Sequence, residues 1–230
     1  MTDTSPVLTA RSLVKRYETS TPLNGADLTL HSDESVAVLG SSGSGKTTLL
    51  HILAGILVPD SGSVTLTDGT RDLDLARLDS PRRAQVRRER FGFVFQHGAL
   101  LPELTALENV ALPLMLLGRS RQDAQTRADR LFAPLGLDGL QSQRIGQLSG
   151  GQGQRVAIAR AQITEAPVVF ADEPTGALDS RTAHSVLDLL LTATTSRGAA
   201  LVVVTHDPAI ARRCSRAVEI ADGVVRAATA

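Results

Sequence analysis

The chain has 230 residues, 24 basic and 24 acidic side chains, a formal net charge of zero and one cysteine. That length suits one or two domains with a substantial core, and 42% hydrophobic with 21% charged residues exclude a disordered polymer. Zero net charge gives no general attraction to nucleic acid or anionic lipid, so any such partner would need a local patch, and no nucleic-acid partner is expected. A lone Cys214 excludes an internal disulfide and a cysteine zinc cage, and suits a reducing, intracellular setting with an inert thiol. Only Lys15 and Lys46 are lysine; every other basic residue is arginine, which makes each lysine worth inspecting.

Short apolar or alternating runs at Val7 to Leu13, Ala26 to Leu30 and Ser35 to Leu39 predict strands. A helix is expected over Thr47 to Leu57, with Leu50, Leu53, Ala54 and Leu57 on one face. A turn at Pro59 to Gly62 and a strand at Ser63 to Thr67 follow. Arg71 to Arg90 carries seven arginines against four carboxylates and reads as a solvated helix face. The most apolar long stretch, Ala99 to Leu117, is interrupted by Pro102, Glu103, Glu108, Asn109 and Pro113 and does not suit a membrane span. The N-terminus, Met1 to Pro6, lacks the basic start and apolar run of a signal peptide.

Helical spacing resumes over Gly118 to Leu135 and over Gly151 to Thr164. Buried-type strands are expected at Val168 to Ala171, Leu201 to Thr205 and Ala217 to Ile220, with an amphipathic helix at Arg181 to Thr195. This alternation predicts a single domain, 1–230, with an α/β core of about 1–97 and 163–230 and a helical insert of about 98–162.

The strand Ser35 to Leu39 runs into Gly40-Ser41-Ser42-Gly43-Ser44-Gly45-Lys46-Thr47 and then into a helix beginning at Thr48. Glycines let backbone N–H groups turn toward phosphate oxygens, and the helix N-terminus adds partial positive charge. Lys46 supplies a full charge to the β- and γ-phosphates, and Thr47 offers a hydroxyl to Mg²⁺. The loop specifies a nucleoside triphosphate, without fixing the class of enzyme.

Two further features narrow the class. The strand Val168 to Ala171 ends in adjacent carboxylates, Asp172 and Glu173, which strand alternation aims in different directions, one toward Mg²⁺ and one toward a water. Leu148-Ser149-Gly150-Gly151-Gln152 opens a helix with a capping serine and two glycines that expose N–H groups, a second anion-ready terminus.

Gly40 to Thr47, Gln96, Leu148 to Gln152, Asp172-Glu173, Ala177-Leu178-Asp179 and His206 together resemble the nucleotide-binding subunit of ABC transporters, from Tyr17 to Gly223. The resemblance implies a P-loop NTPase core, a mixed sheet with flanking helices, plus an antiparallel β edge and an inserted helical subdomain. It implies ATP and Mg²⁺, with Asp172, Thr47 and Gln96 at the metal and Glu173 polarising the water. It also implies that His206 meets the γ-phosphate and that Tyr17, the only tyrosine, stacks on adenine. Ser149, Gly150, Gly151, Gln152 and Asp179 would serve ATP held by a second copy, so that one chain carries two half-sites. His31, His51, His97 and His184 have no companions at metal spacing and read as structural or surface residues.

Phe91 to Leu114 and Ala171 to Ser180 are similar to the ATPases of lipoprotein-release, macrolide-export and antimicrobial-peptide-export systems, and to the related cell-division ATPase. An integral-membrane permease, a likeness-implied homodimer and a place on the cytoplasmic face of the membrane follow as expectations. The alternative is a regulatory ATPase that drives a cell-wall hydrolase through a membrane partner. The chain departs from the group's pattern at Gly146, Gly153, Gln162 and Ala177, none of which is expected to touch Mg²⁺ or the water.

Overall fold

In the computed structural model, residues 6–67, 72–96 and 98–228 are described; Met1 to Ser5, Arg71 and His97 lie outside them. The hairpin of β1 (Pro6–Tyr17) and β2 (Ser20–His31) is the first element. Both strands are longer than the apolar runs suggest. Register shifts along the pair and a positive φ of 48° at Ser12 break the alternation that a period-two reading depends on. With β4 (Ser61–Thr67) and β5 (Asp72–Asp74) the hairpin makes a four-stranded antiparallel sheet of order β2-β1-β4-β5.

The second sheet contains β3 (Ser35–Leu39), β6 (Phe91–Phe95), β7 (Val168–Asp172), β8 (Ala200–Val204), β9 (Arg216–Ala221) and β10 (Val224–Ala227). Its order is β10-β9-β3-β8-β7-β6, parallel throughout except for the β9–β10 hairpin. Alternate residues of β7 and β8 divide between two apolar clusters. Val168, Phe170, Val202 and Val204 pack with the antiparallel sheet and with α1 (Lys46–Leu53). Val169, Ala171, Leu201 and Val203 pack against the helices on the other face. Such two-sided burial explains why these strands read as continuous apolar runs.

Those helices are α3 (Ala106–Leu116), α4 (Arg121–Asp129), α5 (Gly150–Gln162) and α6 (Ser180–Thr195). They share one apolar core with the sheet, so the helical segment of 98–162 is continuous with that face. Among the described residues the remaining α-helices are α2 (Ser80–Arg90) and the single turn α7 (Pro208–Ala211), with short 3-10 turns at Leu75–Arg77 and Ile145–Gln147. Helix α2 buries no residue, in keeping with a solvated face, although Arg83 and Arg87 turn back to the Leu78 and Gly55 carbonyls.

Two helices are shorter than expected, for local reasons. Helix α1 stops at Leu53 because Gly55, at φ 62°, closes it: Gly55 N–H bonds the Ile52 carbonyl and Ile56 N–H bonds the His51 carbonyl. Helix α4 begins at Arg121, capped by Ser120, and its periodicity outlasts it because the chain turns at 130–136 around Pro134. Asn109 in α3 is fully buried and satisfied: its side chain bonds both backbone groups of Leu101 and the Thr105 carbonyl. No described helix is long and apolar enough to cross a membrane.

Candidate functional site

Four parallel strands end side by side at the site. Register pairs Phe95 with Asp172 and Asp172 with Val204, while the Thr205 N–H bonds the Val38 carbonyl. The residues immediately beyond the strands are therefore gathered along one edge: Gln96 after β6, Glu173 after β7, Thr205 and His206 after β8, and the phosphate loop after β3. In α/β sheets this is where ligands bind.

The loop curls back on its own lysine. Lys46 Nζ donates to the Gly40 and Ser41 carbonyls, each at 2.8 Å, and Ser44 N–H bonds the Ser41 carbonyl at 3.1 Å. Ser41, Ser42 and Gly43 are exposed, and Thr47 stands exposed on the first turn of α1 ahead of half-buried Thr48. No side chain caps α1, because its N-cap is Gly45. Gly45 lies at φ 104° with the Pro22 carbonyl where a Cβ would stand, so the loop is wedged against β2.

Ser44 Oγ is buried without a hydrogen-bond partner. Buried polar atoms ordinarily have one, and this one lies in a loop with uncapped N–H donors and an ammonium. That arrangement fits a phosphate group. Thr47 and Asp172 are oxygen donors of the kind that suits a hard dication such as Mg²⁺.

Burial pushes the Asp172 carboxyl above its usual range, with Glu173 adding to the rise and His51 and Lys46 opposing it. The divergence of Asp172 and Glu173 has a different origin from the expected strand alternation. Asp172 is the last residue of β7, whereas Glu173 lies beyond it with a left-handed φ of 45°. For a non-glycine residue this conformation costs roughly 1–2 kcal/mol. It is held by neighbours: Glu173 N–H bonds the Val204 carbonyl, the His206 N–H donates to Glu173 Oε1 at 3.1 Å, and His206 Nδ1 is 2.7 Å from the same oxygen. Thr205 Oγ1 donates to the other oxygen at 3.3 Å. The Gln96 side chain lies against Gly176, in the loop after this acidic pair.

The glycine-rich turn before α5 is placed elsewhere. Ser149 Oγ accepts from Gln152 N–H and Gln152 Oε1 accepts from Ser149 N–H, a reciprocal cap. A Cβ on Gly150 would touch Leu178 and one on Gly151 would meet Thr182, not the phosphate loop. Asp179 caps α6 by accepting from the Arg181 and Thr182 N–H groups, and the Thr182 side chain together with these N–H groups holds its carboxyl below the usual range. Two helix N-termini, those of α5 and α6, thus stand together.

Tyr17 closes β1 at the tip of the β1–β2 hairpin, paired with Ser20, and its ring is about half exposed. Pro22, two residues farther along β2, is the residue that abuts Gly45. The hairpin tip therefore neighbours the phosphate loop.

Sequence reasoning overlooked several participants. Thr205 grips Glu173, and its signal was its place between a strand and His206. Buried Gln154 in α5 donates to the Phe95 carbonyl at 2.9 Å, one residue before Gln96. His51, read as structural, sits one turn after Thr47 and acts electrostatically on Asp172. Cys214 is largely buried, which pushes its thiol up to about 11. Gln162 finds a partner in buried Thr194, at 3.0 Å.

Comparison with known proteins bears on the same residues. A family model described as ABC transporter matches residues 23–176. The lipoprotein-releasing system ATP-binding protein LolD of Legionella pneumophila (strain Paris) is 43% identical, over 94% of this chain and 96% of that protein. The macrolide export ATP-binding/permease protein MacB of Rhodopseudomonas palustris (strain BisB18) is 47% identical over 88% of this chain, which spans 30% of that longer protein. Among solved structures, the dimeric post-hydrolysis state of the ATP-binding cassette MJ0796 bound to ADP and Pi superposes with a TM-score of 0.84 at 35% identity, covering 97% of this chain and 99% of that one.

Proposed function

The chain belongs to the ABC transporter family, and from that membership we propose that two copies close on ATP and Mg²⁺ to drive a separate integral-membrane permease of the export or mechanical-transmission type. The chain is the ATP-binding, ATP-hydrolysing subunit, and its proposed place is the cytoplasmic face of the membrane. One observation carries the reading. The register of β6, β7 and β8 beside β3 sets Asp172, Glu173, His206 and the Lys46 loop on a single edge, with a buried hydroxyl left over for phosphate.

In this reading Gly40 to Thr48 grip the phosphates, with Lys46 exchanging its loop carbonyls for phosphate oxygens. Thr47, Asp172 and Gln96 would hold Mg²⁺, which would supply charge neutralisation to the phosphates. Glu173, fixed by Thr205 and His206, orients the attacking water and receives its proton. His206 meets the γ-phosphate, and Tyr17 stacks on adenine. Ser149, Gly150, Gly151, Gln152 and Asp179 present the paired ends of α5 and α6 to nucleotide on the second copy. The division into a core of 1–97 and 163–230 and a helical part of 98–162 belongs to the same proposal.

Glu173→Gln tests it. The variant is expected to lose hydrolysis by about 10²- to 10⁴-fold while keeping ATP affinity and dimerising on MgATP, as measured by phosphate release and light scattering. Turnover near that of the parent chain would overturn the assignment.

A further inference from the structure

Lys15 and Lys46 are the only two lysines of the chain, and Lys46 belongs to the phosphate loop. Lys15 is held as tightly as its counterpart. Its ammonium donates to Asp60 Oδ1 at 2.9 Å and to the Val58 carbonyl at 3.0 Å, and its side chain is 18% exposed. Asp60 is fixed in turn, since its other oxygen accepts from Arg16 N–H at 2.6 Å and its own N–H bonds the Val14 carbonyl at 2.8 Å. The turn before β4 thereby clamps the last residues of β1.

The same ammonium lies over the ring of Tyr17, 5.8 Å from its centroid. A cation this close to an aromatic face is attracted by the ring quadrupole, by about 0.5–1 kcal/mol at an exposed site. Tyr17 otherwise stands at a hairpin tip, about half exposed and open to several rotamers. An ammonium with two fixed anchors fills one side of that ring and restricts it.

We propose that Lys15 is the positioning residue of the adenine platform: anchored by Asp60 and the Val58 carbonyl, it orients the Tyr17 ring and leaves the opposite face to the purine. This rests on the reading that Tyr17 stacks on the base. Lysine suits the task because a compact ammonium meets both oxygens and the ring at once, whereas a planar guanidinium needs a broader site. Binding gains because the ring's freedom is lost before the nucleotide arrives.

The chain contains one tyrosine and no tryptophan, so intrinsic tyrosine emission reports on Tyr17 alone. MgATP and inorganic tripolyphosphate are titrated against the full chain and against Lys15→Met, Asp60→Asn, Tyr17→Ala and Lys15→Met/Tyr17→Ala, with affinities from calorimetry. MgATP is expected to quench the emission, and tripolyphosphate to leave it unchanged. Lys15→Met is expected to weaken MgATP about two- to fivefold, with tripolyphosphate affinity unaltered. Asp60→Asn is expected to give a smaller loss of the same base-dependent kind, and the Lys15→Met penalty to vanish in the Tyr17→Ala background.

The failures separate. Unchanged MgATP affinity in Tyr17→Ala overturns the stacking reading itself. A Tyr17→Ala defect with a normal Lys15→Met overturns the role of Lys15. Equal losses for MgATP and tripolyphosphate, or a penalty that persists without Tyr17, reduce Lys15 to a fold contact and also overturn the proposal.

Discussion

The strand-end cluster and the paired helix ends solve opposite problems. At the strand ends, polar groups are left in costly states: Asp172 is half-buried with its carboxyl pushed up, Ser44 Oγ has no partner and Glu173 adopts a left-handed backbone. At the ends of α5 and α6, Ser149, Gln152 and Asp179 are already satisfied by local caps. In the proposed function the first region is completed by a ligand, whereas the second already has its hydrogen bonds and offers only its exterior. That difference teaches where chemistry and contact separate in one chain: unsatisfied groups mark the former, capped helix termini the latter.

Three glycines sharpen the contrast, from the largest expected effect to the smallest. Gly45 combines φ 104° with the backbone carbonyl of Pro22 at its missing Cβ. Gly45→Ala is expected to cost about 3 kcal/mol in denaturant unfolding and to abolish nucleotide binding, with no side-chain change able to relieve it. Gly151 has an ordinary helical conformation and meets only the Thr182 methyl, within 2.5 Å. Gly151→Ala is expected to cost about 1–2 kcal/mol, most of it recovered in Gly151→Ala/Thr182→Ser, which keeps the hydroxyl and removes the methyl. A double variant no more stable than the single one breaks the distinction between the regions. Gly153, one turn into α5, has nothing near its missing Cβ. Gly153→Ala is expected to stabilise the chain by about 0.5–1 kcal/mol on thermal melting and to leave hydrolysis unchanged.

The site was legible where function is written as local chemistry. Gly40 to Thr47, the Asp172-Glu173 pair and the Ser149 cap each fall within a few consecutive residues, and each occupies the element expected for it. The parallel strands were legible for a related reason, since burial on both faces leaves uninterrupted apolar runs. Long-range partnerships were not. Nothing near Gln154 in sequence announces its bond to Phe95, and Lys15 meets Asp60 only because β1 pairs with β4. Boundaries failed where a turn overrode periodicity: Gly55 closes α1 within a run that remains apolar to Leu57, and the residues after Asp129 keep helical spacing while bonding back three residues, as in turns. The β1–β2 hairpin was underestimated because its bulges shift apolar residues out of alternation.

The placement of β3 has a consequence for synthesis. Ser35 to Leu39 has for neighbours only β8 and β9, which begin at Ala200 and Arg216. At about 5–20 residues per second, the ribosome delivers the first of these partners roughly 160 residues later, a wait on the order of ten to thirty seconds. Throughout that interval the strand that launches the phosphate loop has no ladder of its own. The loop that is plainest to read in the sequence is thus among the last parts of the nascent chain to acquire its shape.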